Sequence, residues 1–340
     1  MDSLTQIVLG AACGEAVLGK KIGNKALLFG AIGGTIPDLD VFIGSLIHGN
    51  EIDAMLFHRG FMHSIVFSVL AAFLIGWLVH KMYDTKRRRG TTTRKDWILL
   101  FFWSLFTHPI LDCFTPYGTQ LFAPFSDYRV AFNNIAVADL LYTVPFFLCM
   151  IILMGYRRQH SGRRVWLKVG IGISSLYMLF TIINKFHIDS VFENSLVKEN
   201  VEFDRFSVQP SILNNILWYG IAETETNYQV GFYSLLDKAD TFSEWQTIPK
   251  TRAITETQYP DLGRLAWFSN QYYNVHQLEG DEFMYQDLRY PLVQTPSGYK
   301  AIFNLKLYIK DGRLDMKPFE PEMEDFEYTM TALWERLKGK

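Results

Sequence analysis

The feature that most restricts this chain is a set of apolar stretches in its first half, each long enough to cross a lipid bilayer. A span takes about 20 predominantly apolar residues. Residues 61–80, 97–114, 135–155 and 165–183 meet that requirement. A further stretch, 26–47, has the length but is interrupted by Gly33, Gly34, Pro37, Asp38 and Asp40. Broken, acid-bearing backbone at membrane depth is tolerated only where it is buried in protein or lines a wet cavity, so this segment is expected to be discontinuous and turned inward. Residues 4–19 form a short, small-residue-rich apolar segment, compatible with a steep span, a re-entrant helix or an interfacial one. The expectation is an α-helical multi-pass membrane bundle over residues 1–185.

Residues 186–340 read differently. Phe303 to Lys310 alternates apolar and polar side chains, then comes Asp311-Gly312, a hairpin turn signal, and then Arg313 to Met316. Residues 272–277 and 282–285 flank Glu279-Gly280-Asp281 as a second hairpin, and residues 332–338 suggest a closing helix. This half is expected to be a β-rich (α+β) domain. The mean hydropathy of +0.05 merely averages two unlike halves.

Orientation follows from the distribution of Lys and Arg. The loop 81–95 carries Lys81, Lys86, Arg87, Arg88, Arg89, Arg94 and Lys95, and the loop 156–168 carries Arg157, Arg158, Arg163, Arg164 and Lys168. Loops 48–60 and 115–134 hold only Arg59 and Arg129. The basic side is expected to be cytoplasmic, in the plasma or inner membrane, with the β-rich domain on the extracytoplasmic side. Asp2 as the first charge and Glu15 within the apolar run argue against a cleaved secretory signal. A net charge of −2 gives no general attraction to nucleic acid, so the lipid bilayer is the expected partner, and no protein partner is indicated. Cys13, Cys113 and Cys149 have neither metal-ligand nor CxxC spacing.

Ionisable residues at membrane-helix ends are expensive and usually functional. Four groups fall near the expected outer face: Asp38 and Asp40 after Pro37, His58-Arg59-Gly60 with His63, His108-Pro109 with Asp112, and Asp139. His108 and Asp112 are four apart and share one helix face. Pro109 between them removes the bond its N–H would make to Leu105 and could kink the helix. His58 and His63, five apart, converge only if Gly60 turns the chain before the helix starts. Asp38 and Asp40 could divide ligand and base roles. Taken singly, each has a bland reading: hydrated acids, interfacial histidines, a helix-start Asp139. Taken jointly, Asp38, Asp40, His58, His63, His108 and Asp112 suit a divalent metal, zinc first, with manganese or iron as alternatives, and one to three ions. Asp38 or Asp139 is then the candidate base, and Arg59 or Arg129 a candidate for an anionic group.

Met1 to Gln6, Leu9 to Ala16, Pro37 to Asp40, His58 to Ser64, His108 to Asp112 and Tyr117 to Ser126 together resemble the YdjM-like family of membrane-bound metal-dependent hydrolases. The resemblance covers about residues 1–185. Trp218, Tyr233 to Asp237 and Asp287 to Arg289 match long members only. The family is distantly similar to zinc phospholipase C-like helical enzymes. That similarity implies that His108 and Asp112 form the helix ligand pair, that Asp38 or Asp40 is the upstream Asp, and that His58 or His63 is a further ligand. This chain departs from the pattern with Met62 in place of Thr, Gln6 in place of an N-terminal His, and no match for the last His-x-x-x-Glu pair. The expected function is hydrolysis of phosphoester or phospholipid-like substrates at the outer face. The alternatives are a non-catalytic regulatory or sensing protein with a structural metal site, and an ion-coupled transporter built on the broken helix.

Overall fold

A computed structural model describes residues 1–319 and 326–340. It divides into two compact units. The first comprises Met1–Gly44, Phe57–Ile183 and Ile212–Asn214; the second comprises Ser45–Leu56, Asn184–Ser211 and Asn215–Lys340. The boundary expected after residue 185 falls between Ile183 and Asn184, and residues 45–56 unexpectedly belong with the second unit.

The first unit is helical. Helix α1 (Ser3–Ile22) starts at an Asp2 cap whose carboxylate accepts from Thr5 N at 3.1 Å. It is followed by α2 (Asn24–Thr35), a 3-10 turn (Pro37–Leu39) and α3 (Asp40–Ile47). The two arms of the broken segment are bent by 44°. Helix α4 (Glu51–Phe57) precedes a second 3-10 turn at Phe61–His63. Then come α5 (Ile65–Tyr83), α6 (Arg94–Asp112), α7 (Leu140–Met154) and α8 (Ser161–Lys198). Ser64 caps α5, and a Thr93/Asp96 capping box starts α6.

Helices α1 and α2 pack through glycine. A Cβ added at Gly10 would sit 2.4 Å from Gly30 O, and one at Gly14 would sit 2.1 Å from Ala26 O. A Cβ added at Gly33 would sit 2.8 Å from Ser104 Cβ of α6. Small residues allow this backbone approach, which replaces the hydrophobic drive that lipid does not supply. At the far end of α1, Glu15 and Arg163 are buried and paired at 2.6 Å, and Arg163 also donates to Asn24 and to the carbonyl of Tyr156. Lys20 and Lys21 stand nearer in sequence, but the fold pairs Glu15 with Arg163.

Among the described residues, two helices, α5 and α8, are long and apolar enough to cross a membrane, and the bent pair adds a third if counted as one span. Leu70, Phe73, Leu74 and Trp77 of α5 and Leu176, Leu179 and Phe180 of α8 are exposed apolar side chains, as expected of surfaces that face lipid. Residues 97–112 of the expected 97–114 stretch lie in α6, whose first turn holds Arg94, Lys95 and Asp96 and whose last holds Pro109 and Asp112. Residues 135–155 shorten to the 15 residues of α7 because Asp139 caps that helix, and about 22 Å of helix is less than a full hydrocarbon core.

The second unit holds two four-stranded antiparallel sheets and a small hairpin. Strands β1 (Arg205–Pro210), β2 (Leu217–Glu223), β3 (Asn227–Ser234) and β4 (Ser243–Pro249) pair in sequence order. Helix α9 (Pro260–Phe268) leads to β5 (Tyr273–Gln277) and β6 (Glu282–Asp287). Strands β7 (Leu292–Thr295) and β8 (Gly298–Ala301) form the hairpin. Strands β9 (Asn304–Lys310) and β10 (Arg313–Pro318) complete the second sheet in the order β10-β9-β6-β5. Asp311 and Gly312 have φ of 52° and 77°, the left-handed pair that a two-residue hairpin turn demands. Helix α10 (Phe326–Leu337) closes the unit, with Arg336 on Asp237 at 2.8 Å. Several motif residues of this half are core: Trp218 and Tyr233 are buried, and Arg289 pairs with the buried Asp287 at 2.6 Å, whereas Leu236 is exposed.

Candidate metal centre

The site forms where helix ends of the first unit meet. Helix α6 brings His108 and Asp112, one turn apart on one face. It runs through Pro109 to Asp112, and the Leu105 carbonyl that Pro109 leaves without its usual donor accepts instead from Ser68 Oγ at 3.2 Å. The 3-10 turn after Pro37 presents Asp38, and α3 starts with Asp40. The turn at Phe61–His63 presents His63. Arg59 enters that turn with φ of 59°, a left-handed conformation unusual for a residue other than glycine.

Among the described residues, two groups have donor atoms close enough to share a cation: Asp38, His63 and His108, and Asp40, His58 and His63. In the first, His63 Nε2 and His108 Nε2 are 3.1 Å apart, and Asp38 Oδ1 is 3.4 Å from each. Asp112 Oδ2 lies 3.5 Å from both nitrogens. His63, His108 and Asp112 are sealed, with 0–1% exposure, whereas Asp38 retains 21% and marks the open side. In the second group, His58 Nδ1 donates to Asp40 Oδ1 at 2.7 Å, and His63 Nδ1 lies 3.0 Å from Asp40 Oδ2. Asp40 Oδ2 also accepts the Arg59 backbone N–H at 2.9 Å. Burial pulls the His58 imidazole below its ordinary pKa, overcoming the hydrogen bond to Asp40 that favours the charged ring.

The donor set fits a divalent metal. His108 Nδ1 is 2.6 Å from Gly34 O, a pure acceptor, so Nδ1 carries a proton and Nε2 is the nitrogen that faces the cluster. His63 likewise faces the Asp40 carboxylate with Nδ1 and the cluster with Nε2. Two ring nitrogens at 3.1 Å in a dry interior need a proton or a cation between them. Asp112 Oδ2, buried beside them, accepts no hydrogen bond. Donors sharing a tetrahedral ion at 2.0–2.1 Å lie about 3.3 Å apart, the spacing of the first group.

Arg59 and Asp139 are not placed as the sequence suggested. Arg59 is buried, with Nε 3.3 Å from Asp112 Oδ2 and Nη1 donating to Thr115 Oγ1 at 2.9 Å, while its guanidinium stacks on Tyr117. It balances Asp112 instead of standing open to an anion. Asp139 caps α7: its Oδ1 accepts from Leu141 N and Tyr142 N, and its Oδ2 accepts from Tyr177 Oη at 3.0 Å. Both of its oxygens are thus committed to α7 and to Tyr177 of α8. Asp112 Oδ1 accepts from Gln6 Nε2 at 2.9 Å and contacts the Met1 amino group. Sequence reasoning missed Gly34 and Thr115 as partners; Gln6, named only as the replacement for an N-terminal His, turns out to donate to Asp112. The segment 117–126 is pinned beside the site by Gln120 N on Arg59 O and Ile65 N on Leu121 O.

Three comparisons bear on this chain. A family model described as YdjM inner membrane protein matches residues 1–188. The uncharacterized protein YfhP of Bacillus subtilis (strain 168) is 29% identical over 149 residues, which is 41% of this chain and 42% of that protein. The chain thus spans about two-fifths of the length of this curated relative. No solved structure matches.

Proposed function

Because the chain belongs to the YdjM family of inner membrane proteins, we propose that it is a multi-pass membrane hydrolase whose Asp38–His63–His108 cluster holds a divalent metal, zinc by its donor chemistry. The observation that carries this reading is the pair of buried imidazole Nε2 atoms at 3.1 Å, flanked by Asp38 and the unsatisfied Asp112 oxygen. A metal held there supplies Lewis acidity to water and to a phosphoryl oxygen. The protein's own groups do the rest. Asp38, on the open side, is placed to orient a water and take its proton. Asp40 and Gly34 hold the two imidazoles in register, and Arg59 fixes Asp112 against rotation.

The substrate class proposed is a phosphoester or phospholipid-like molecule met at the extracytoplasmic face, with the basic loops on the cytoplasmic side. The test is direct: detergent-purified protein should contain near-stoichiometric zinc or manganese and hydrolyse lipid phosphoesters in a chelator-sensitive way. Metal-free protein with a normal fold would overturn it.

One observation favours a second reading, a non-catalytic sensing protein with a structural centre. The second unit contains a cleft of about 790 Å³ lined by residues including Gln246, Met284, Gln286, Tyr299 and Asn304, a size suited to a small ligand. An unchanged cellular phenotype in His108→Ala would support it over hydrolysis.

A further inference from the structure

The two candidate donor groups share His63, so they cannot be counted as two independent sites. We infer that the cluster is a single-ion centre, in which Asp40 is the carboxylate that positions His63 and leaves His58 outside the coordination sphere. This rests on the metal reading above and decides how many ions the cluster takes and which residues touch them.

Distance separates the two groups. Ligands of one tetrahedral ion lie about 3.3 Å apart, and Asp38, His63 and His108 are spaced at 3.1, 3.4 and 3.4 Å. The contacts of Asp40 are shorter: 2.7 Å to His58 Nδ1, 2.9 Å to Arg59 N and 3.0 Å to His63 Nδ1. These are lengths at which an acceptor meets N–H donors. The Asp40–His63 contact is an ion-pair contact more than a straight hydrogen bond, and the other two satisfy the hydrogen-bond geometry.

Protonation points the same way. For His63 to serve two ions it would have to lose both ring protons. With Nδ1 left to the Asp40 carboxylate it loses one, and that contact at 3.0 Å orients the ring so that Nε2 faces Asp38 and His108. His108 repeats the arrangement with the Gly34 carbonyl in place of Asp40. Ligand histidines are commonly oriented by such an acceptor on the far nitrogen.

The buried carboxylates also differ in what they lack. Asp40 has each oxygen in a hydrogen bond to protein, so its burial is compensated without an ion. Asp112 Oδ2 accepts none, on the side where the two Nε2 atoms converge.

The experiment is cobalt titration of the full-length, detergent-purified, chelator-stripped protein, followed by visible absorption and by metal content per chain. One cobalt per chain is expected. Asp40→Asn should still bind one, with affinity lowered about 10–100-fold and a shifted absorption band, and Asp40→Glu should recover part of both. His58→Ala should bind one cobalt close to wild-type strength. Two cobalts in the wild type, falling to one in Asp40→Asn or His58→Ala, would overturn the inference while leaving the metal reading intact. No cobalt in the wild type would remove the metal reading itself. Gel filtration and thermal unfolding establish that each variant folds; should Asp40→Asn fail to fold, wild-type stoichiometry and His58→Ala decide the matter alone.

Discussion

His63 and His108 come from segments 45 residues apart and turn their Nε2 atoms toward each other at 3.1 Å, both rings buried. Each ring has its other nitrogen against an oxygen that can only accept. The pair is therefore arranged to hold something positive between its two faces, and Asp38 and Asp112 supply the balancing charge.

The first prediction separates ligands from neighbours. His108→Ala and Asp112→Ala should both reduce bound metal to background. Asp139→Ala should keep it, because that carboxylate caps α7 and bonds Tyr177. Its cost should appear only as about 0.5–2 kcal/mol of stability, the usual scale for a lost N-cap. Metal content and thermal unfolding of the three variants check this.

A second concerns the opposite end of the helices. Glu15 and Arg163 are both buried and doubly hydrogen-bonded. Removing one partner leaves an uncompensated charge, so Arg163→Ala should destabilise by about 3–5 kcal/mol. Pairing it with Glu15→Gln should recover much of the loss. Thermal unfolding in detergent of the single and double variants measures the difference.

The helix contact at glycine makes a third. Gly10→Leu places side-chain atoms where Gly30 O already lies 2.4 Å from an added Cβ. Helices α1 and α2 must then separate, at a cost of about 1–3 kcal/mol or more. The same change at Gly172, where a Cβ meets nothing within 4 Å, should be close to neutral. Comparing the two unfolding curves tests the claim.

Acid should loosen the second unit in a defined way. Burial alone would raise the Asp237 carboxyl, but hydrogen bonds from Arg336 and from the Ser234 and Lys340 backbone hold it below its ordinary value. A depressed carboxyl stabilises the folded form above the unfolded pKa of about 4 and loses that contribution as pH falls through the lower folded value. Amide exchange in α10 should therefore rise below about pH 4. In Asp237→Asn it should be fast already at neutral pH and lack this acid step; an unchanged acid step would refute the link.

Topology gives the last prediction. Reporter fusions after residue 89 should read as cytoplasmic, and fusions at the C-terminus as extracytoplasmic. The reverse pattern would overturn the orientation proposed above.

Much of the helical half was readable because lipid demands long apolar runs and because proline, glycine and acid at 33–40 can only break one. The 44° bend and the 3-10 turn fall at that break. The Asp311-Gly312 hairpin was readable because a two-residue turn needs φ above zero, which that pair tolerates. The sheet of β1 to β4 was not anticipated: β2 is buried on both faces and so lacks the alternation that marks a half-exposed strand. Residues 45–56 joined the second unit through Asn50 on Leu314 O and Glu51 N on Asp315, contacts across more than 260 residues that no local pattern encodes.

The chain's order of residues determined by itself that apolar helices would dominate the first half, and that imidazoles and carboxylates would cluster toward one end of them. Spacing along one helix sufficed to place His108 over Asp112. Only the tertiary structure decided which nitrogen of each ring faces inward, because the acceptors that settle it, Gly34 O and Asp40, arrive from other elements. It also decided that Asp139 is held by a helix end and Arg59 by Asp112. A side chain's chemistry is fixed by its type, but its role depends on which partner reaches it first in space, and sequence separation carries no measure of that distance.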